Sequence, residues 1–255
     1  MKNLFSVEGK TVLVTGGSRG IGEMIVTGFA ENGAKVYLAS RKGAECERVA
    51  EELNKRGGTC IPLEADLSSE SGAKALADAV AAKESALHVL VNNAGANWGA
   101  PYEDYPDSAW DKVLALNVKG VFHLTRFCTP LLERGVREGD PARVINIGSI
   151  DGIQAPALET FAYSASKAAV HHMTKVLAAK LAPRKITVNA VAPGPFQSKM
   201  MAATLENFGD AIVQGCPLKR IGQPEDMAGV AIYLSSRAGA YVTGVVIPVD
   251  GGIRI

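Results

Sequence analysis

Tyr163 and Lys167 stand four residues apart in the run Tyr163-Ser164-Ala165-Ser166-Lys167, so on a helix they share one face and their polar ends can meet. An unperturbed phenol titrates near pH ~10, and bringing it down by about three units takes roughly 4 kcal/mol of preference for the phenolate. A neighbouring ammonium in a partly desolvated cleft can supply that preference and turn the tyrosine into a proton shuttle. A Tyr–Lys pair one turn apart is more often a surface pair whose lysine snorkels, so its weight depends on what converges with it. Ser149 follows the apolar run Val144-Ile145-Asn146-Ile147-Gly148 at the carboxyl edge of a strand, where open α/β sheets bind ligands and a hydroxyl can donate to a carbonyl oxygen. Asn117 lies in Leu114-Ala115-Leu116-Asn117-Val118, an amide among apolar residues. It fits a helix kink or a capped buried carbonyl as well as a part in the chemistry.

A second constellation is the turn Thr15-Gly16-Gly17-Ser18-Arg19-Gly20-Ile21-Gly22, whose glycines at 16, 20 and 22 are spaced more widely than in G-x-G-x-x-G. It lies between a strand and a helix, where glycines admit the backbone to a pyrophosphate and the helix N-terminus attracts its charge. About 20 residues further on, an NAD site needs an acid for the ribose 2'-hydroxyl. Here the chain has Ser40-Arg41-Lys42. Ser40, Arg41 and Arg19 would donate to a 2'-phosphate instead, so NADP is expected over NAD.

These residues are carried by alternating strands and helices. Strands are expected at Thr11–Thr15 and at residues 34–39, 60–63, 87–91, 143–147, 187–191 and 245–249. Helices are expected from Ile21 to the Asn32-Gly33 stop and over 45–56, 72–83, 110–132 with a bend at Pro130, 163–181 and 225–234. Apolar strands alternating with helices imply an α/β fold, a single Rossmann-type doubly wound parallel sheet with helices on both faces, in one catalytic domain over residues 1–255. Residues 195–220 carry Phe196, Met200, Met201, Leu205, Phe208, Ile212, Val213 and Leu218, too apolar for a solvated loop. They are expected to form a substrate lid of two short helices, 200–205 and 208–213, hinged at Gly209 and Gly215.

Composition narrows the classes. With 27 Lys+Arg against 26 Asp+Glu and 47% hydrophobic residues, the chain has neither the charge of a nucleic-acid binder nor the polarity of a disordered one. Cys46, Cys60, Cys128 and Cys216 form no C-x-x-C pair, which argues against a metal cluster or disulfide scaffold and for a reducing, cytoplasmic setting. No apolar run reaches the ~18 residues of a membrane span, and no signal peptide is read at the N-terminus.

Taken in order, the motifs TGGSRGIG at 15–22, Asp66-Leu67, NNAG at 92–95, Asn117, Ser149, YSASK at 163–167 and Pro193-Gly194 resemble the short-chain dehydrogenases/reductases over almost the whole chain. The resemblance implies Tyr163 as catalytic acid in reduction, Ser149 polarising the carbonyl, Lys167 lowering the tyrosine pKa and holding the nicotinamide ribose, and Asn117 placing a relay water. It implies an NADP(H) site from Gly16, Ser18, Arg19, Gly20, Ile21, Gly22, Ser40 and Arg41. Asp66, Leu67, Asn93, Ala94 and Gly95 would complete its adenosine side, and Lys167, Pro193, Gly194, Phe196 and Ser198 its nicotinamide side. Ser198 replaces the family's usual threonine and keeps the hydroxyl. Ser149 and Tyr163 are 14 positions apart, one more than usual, so the 151–160 wall is reshaped. The implied activity is NADPH-dependent reduction of a ketone, foremost a 3-oxoacyl thioester, without a metal. Alternatives are an NADP-dependent dehydrogenase of a sugar, polyol or other secondary alcohol, and a catalytically silent dinucleotide-binding regulator. A homotetramer is expected from the family, with the stripe Val170, Met173, Val176 and Leu177 and the apolar tail Ile253-Arg254-Ile255 as modest support. An acyl carrier protein could dock on Arg184 and Lys185, or on Arg134 and Arg137.

Overall fold

The structure, a computed structural model, describes residues 2–255. Seven strands form one sheet: β1 (Thr11–Thr15), β2 (Lys35–Ser40), β3 (Thr59–Glu64), β4 (Val89–Asn92), β5 (Ala142–Ile147), β6 (Ile186–Pro193) and β7 (Val246–Val249). Every neighbouring pair is parallel, in the order β3-β2-β1-β4-β5-β6-β7. The order reverses between β1 and β4, and such a switch point opens a crevice at the carboxyl ends of the strands.

The continuous apolar runs follow from cover on both faces. β1, β5 and β6 are buried at every residue. Successive side chains point to opposite sides. Val12, Val14, Val89, Val91, Ile145 and Ile147 pack under α1 (Gly20–Glu31), α2 (Gly43–Lys55) and α8 (Pro224–Ser235). Leu13, Leu90 and Val144 pack under α3 (Glu70–Ala81), α5 (Val121–Arg134) and α6 (Phe161–Leu181). The expected architecture is therefore observed, with element ends displaced by a few residues.

Two expectations are corrected. The helix expected over 110–132 is α4 (Asp107–Leu114), a π-helical turn (Ala115–Gly120) and α5, and Pro130 lies inside α5. The irregularity falls on Asn117, because the widened turn lets its side chain bond outside the helix. The segment expected to hold two short helices contains one, α7 (Ala202–Gly215). Gly209, expected as a hinge, lies inside this continuous helix, and Gly215 is its last residue.

The opposite edge of the sheet is tied by charge. Lys10 Nζ donates to Asp140 Oδ2 at 2.6 Å, and Arg143 donates to Asp140 Oδ1 at 2.8 Å and to the Leu234 and Ser236 carbonyls at 2.8 Å each. All three charged groups are buried.

Candidate active site

β5 runs out at Ile147, and the chain turns through Gly148 and Ser149 into a tight turn, Ile150–Gly152. Ser149 Oγ accepts the Asp151 N–H at 3.1 Å, which leaves its own hydrogen free to donate. The Tyr163 phenol approaches that hydroxyl from the first turns of α6, near enough for the hydroxyl to favour the phenolate. Lys167, one turn further on, is buried; its Nζ donates to the Ile147 carbonyl at 2.7 Å and lies 5.4 Å from the centre of the Tyr163 ring. Ser149, Tyr163 and Lys167 are thus brought together at the carboxyl edge of the sheet.

The electrostatics depart from the expectation that Lys167 lowers the tyrosine. Burial pushes Tyr163 up to about 12, against a smaller opposing effect of the Ser149 hydrogen bond. Burial also brings Lys167 down to about 8, opposed by the Asp151 carboxylate. The shift of the phenol comes from its enclosure, which disfavours the phenolate, while the Lys167 Nζ is turned to the Ile147 carbonyl. The phenol is held as the neutral acid.

Asn117 is buried in the π-helical turn. Its Oδ1 accepts the Ala96 N–H at 2.8 Å, and its Nδ2 donates to the Ala96 carbonyl and to Ser166 Oγ, each at 2.9 Å. Ser166 Oγ in turn donates to the Tyr163 carbonyl at 2.7 Å. The side chain is a strut between the strand-end loop and the helix that carries Tyr163. Deeper in, Asn92 donates to Thr125 Oγ1 at 3.0 Å and to Asn146 Oδ1 at 2.9 Å, and Asn146 donates to Thr174 Oγ1 at 2.9 Å. This buried polar chain fixes α5 and α6 across β4 and β5.

The glycine turn borders the same edge. Gly16 and Gly20 have φ of +65° and +54°, which favours glycine, and a Cβ at Gly22 would lie 2.5 Å from Asn93 Nδ2. No side chain caps the N-terminus of α1, so its first N–H groups stay free for an anion. Asn93 Nδ2 donates to the Thr15 carbonyl at 2.8 Å, and the Asn93 and Ala94 N–H groups both donate to Thr15 Oγ1 at 3.0 Å. Ser18 Oγ donates to Ser40 Oγ at 3.1 Å, joining the turn to the end of β2. Arg19 and Arg41 are exposed, with no carboxylate within 4.0 Å among the described residues. Asp66 accepts the Ser68 N–H at 3.0 Å, which with the nearby Arg41 charge holds its carboxyl below the usual range. Leu67 is buried beneath the same edge. A dinucleotide with a phosphorylated ribose fits this cradle.

Elsewhere the expected residues separate. Gly95 stands over Asn117 and Lys167, and Pro193 and Gly194 close the end of β6. Ser198 lies over Gly20, where its Cβ is 3.0 Å from a Cβ built on that glycine. The Phe196 ring is buried in the core and packs on Gly222, so a part in cofactor binding would fall to its backbone. Arg184 and Lys185 lie beyond the C-terminus of α6, about 25 Å along the axis from Lys167. They precede β6 and therefore sit at the sheet edge opposite Ser149, with Arg184 paired to Glu133 at 2.5 Å. Arg134 and Arg137 contact Ser85 and His88 at that same edge. None of the four lies beside the Tyr163 cleft of its own chain. Sequence reading passed over Thr15, Asp151 and His171; His171 follows Lys167 by one turn, and that spacing was the available signal.

Comparison with known proteins agrees with this geometry. The family profile described as Enoyl-(Acyl carrier protein) reductase matches residues 16–254. The rhamnolipids biosynthesis 3-oxoacyl-(acyl-carrier-protein) reductase of Pseudomonas aeruginosa is 46% identical over 257 residues, covering 100% of both chains. The short-chain dehydrogenase/reductase PhomF of Diaporthe leptostromiformis is 36% identical, over 98% of this chain and 93% of its own. Among solved structures, the Pseudomonas aeruginosa RhlG/NADP active-site complex superposes with a TM-score of 0.95 over 100% of both chains. Motifs, topology and full-length identity agree, and the chain belongs to the short-chain dehydrogenase/reductase family.

Proposed function

We propose that this enzyme is an NADPH-dependent reductase of a ketone, foremost a 3-oxoacyl thioester. The observation that carries the reading is the convergence of the Tyr163 phenol, the Lys167 Nζ and a Ser149 hydroxyl whose hydrogen is free to donate. Two donors converging on one point suit a carbonyl oxygen that gains negative charge as its carbon is reduced. Bound NADPH supplies the hydride. Ser149 donates a hydrogen bond to the ketone oxygen, Tyr163 delivers the proton that completes the alcohol, and the Lys167 ammonium steadies the phenolate left behind. Arg19, Ser40 and Arg41 would hold the 2'-phosphate, the α1 N-terminus the pyrophosphate, and Asp66 and Asn93 the adenosine side.

The substrate class rests on apolar residues in the segments that precede Tyr163 and follow β6. Ile153 and Leu158 lie between Ser149 and Tyr163, and Met200 follows β6; all three are apolar and 43–49% exposed. Such residues favour an acyl chain over a polyhydroxylated sugar. It also supports a lid role for residues 195–220, since α7 buries none of its residues and Phe208 is 57% exposed. A panel of 3-oxoacyl thioesters of graded length, simple ketones and keto-sugars, read by NADPH absorbance, tests the reading. Preference for a keto-sugar over every thioester would overturn it.

The homotetramer is part of the same proposal. Val170 turns into the core, but Val176 is 55% and Phe122 41% exposed on adjacent helices, and Arg126 lies over the Phe122 and Phe127 rings. Such a face is suited to a second copy of the chain. Light scattering at micromolar concentration should report four subunits, and a monomer would refute this. A cytoplasmic setting agrees with four free, buried cysteines, and no helix among the described residues is long and apolar enough to cross a membrane.

A further inference from the structure

His171 is buried on α6, one turn beyond Lys167, and faces the turn that carries Ser149. Its Nε2 accepts the Ser149 N–H at 3.4 Å, and the ring lies against the Gly152 backbone. The imidazole therefore touches both ends of the four-residue turn whose internal bonds are Asp151 N–H to Ser149 Oγ at 3.1 Å and Gly152 N–H to the Ser149 carbonyl at 3.1 Å. The flanking glycines leave room for the ring. A Cβ on Gly148 would overlap Nε2, and one on Gly152 would lie 2.9 Å from the His171 Cε1 and 2.6 Å from the Lys167 carbonyl carbon. Ring, glycines and turn fit one another.

We infer that His171 is a positioning residue for the reduction, a two-ended clasp that fixes the 149–152 turn and thereby aims the Ser149 hydroxyl at the point Tyr163 also reaches. The inference rests on the reductase reading above. A neutral imidazole can accept the Ser149 N–H at one nitrogen, as the clasp requires. Burial holds its pKa below the ordinary histidine value, opposed by the Gly152 backbone and reinforced by Lys167 and Lys175, so the ring is neutral at physiological pH. With the clasp gone, the turn loses two anchors to α6 while Lys167, Asn117 and the glycine turn keep theirs. The effect should therefore fall on the chemical step and spare cofactor binding.

The test is a cycle of four proteins, wild type, His171→Leu, Ser149→Ala and the double variant, with His171→Gln as the conservative replacement. Misplacement of a reacting group by ~1 Å costs on the order of 100-fold in rate. His171→Leu should lower kcat by about 10- to 100-fold, with KM and the NADPH Kd within about three-fold of wild type. His171→Gln, which keeps an acceptor and a donor, should recover most of the loss. If His171 acts through Ser149, adding His171→Leu to Ser149→Ala should change kcat by less than about two-fold. Losses that multiply in the double variant, near-normal kcat in His171→Leu, or equal loss in both replacements would overturn the inference. Should His171→Leu fail to fold, His171→Ala with Ser149→Ala runs the same cycle. Amide hydrogen exchange over residues 148–153 gives a readout independent of substrate: it must rise in His171→Leu, and unchanged protection overturns the clasp. A wild-type enzyme that reduces no ketone sinks the reductase reading alone, and the exchange result then judges His171 by itself.

Discussion

Replacing Arg19 and Arg41 with alanine should lower the preference for NADPH over NADH without disturbing what the two cofactors share. The two differ only by the 2'-phosphate, which carries about −1.5 to −2 charges near neutral pH. Both arginines are exposed, so the appropriate dielectric is close to that of water, where unit charges ~4 Å apart interact by about 1 kcal/mol. Each guanidinium therefore gains roughly 1.5–2 kcal/mol from the dianion, less about 0.5–1 kcal/mol for ordering its side chain. Hydrogen bonds from the fork to phosphate oxygens add to this, for a net of about 1–2 kcal/mol per arginine. Because neither has a carboxylate partner, no internal pair is broken by removing it. Each single variant should raise the KM for NADPH about 5- to 30-fold and leave that for NADH within about two-fold, and the double variant should show roughly the product. Initial-rate kinetics with both cofactors, repeated at low and high salt, provide the measurement. Wild-type preference should shrink with salt, since exposed charges are screened within ~8 Å at physiological ionic strength. Equal losses for both cofactors, or a preference indifferent to salt, would place the arginines outside the 2'-phosphate site.

Further expectations follow from the same geometry. Tyr163→Phe should cut kcat by about 10²–10⁴-fold while NADPH titration stays within a few-fold, because the ring is retained and only the proton donor is lost; near-normal turnover would remove Tyr163 from the mechanism. Lys167 is held down to about 8, so reductase activity should fall as pH rises through that value and the ammonium is lost, and a flat profile from pH 7 to 9.5 would refute an essential ammonium. Asp140→Ala leaves Lys10 and Arg143 buried without their shared carboxylate, at a cost of about 3–5 kcal/mol. At ~2–4 °C per kcal/mol for a chain of this size, calorimetry should show Tm lower by roughly 6–20 °C, with activity kept at low temperature because the pair sits at the edge away from Ser149.

The sheet was legible because its evidence is local. An apolar run such as Thr11–Thr15, closed by glycines and followed by a four-residue periodicity, can hardly be other than a buried strand leading into a helix. The positions of Ser149, Tyr163 and Lys167 were legible for the same reason: each is a strand end or a helical spacing. What escaped depends on distant partners. Asn117 bends its helix toward Ala96 and Ser166, 21 and 49 residues away, and no local pattern names either. The direction of the Tyr163 pKa escaped in a deeper way. The four-residue spacing correctly placed an ammonium near the phenol, but spacing carries no information about how much water surrounds the pair. Once the phenol is enclosed, burial disfavours the phenolate, and the Lys167 Nζ is turned to the Ile147 carbonyl. Desolvation is a property of everything packed around a group. The same enclosure that hides the tyrosine's pKa from the sequence disfavours loss of its proton, which is what the proposed reduction asks of it until a carbonyl oxygen beside Ser149 takes that proton.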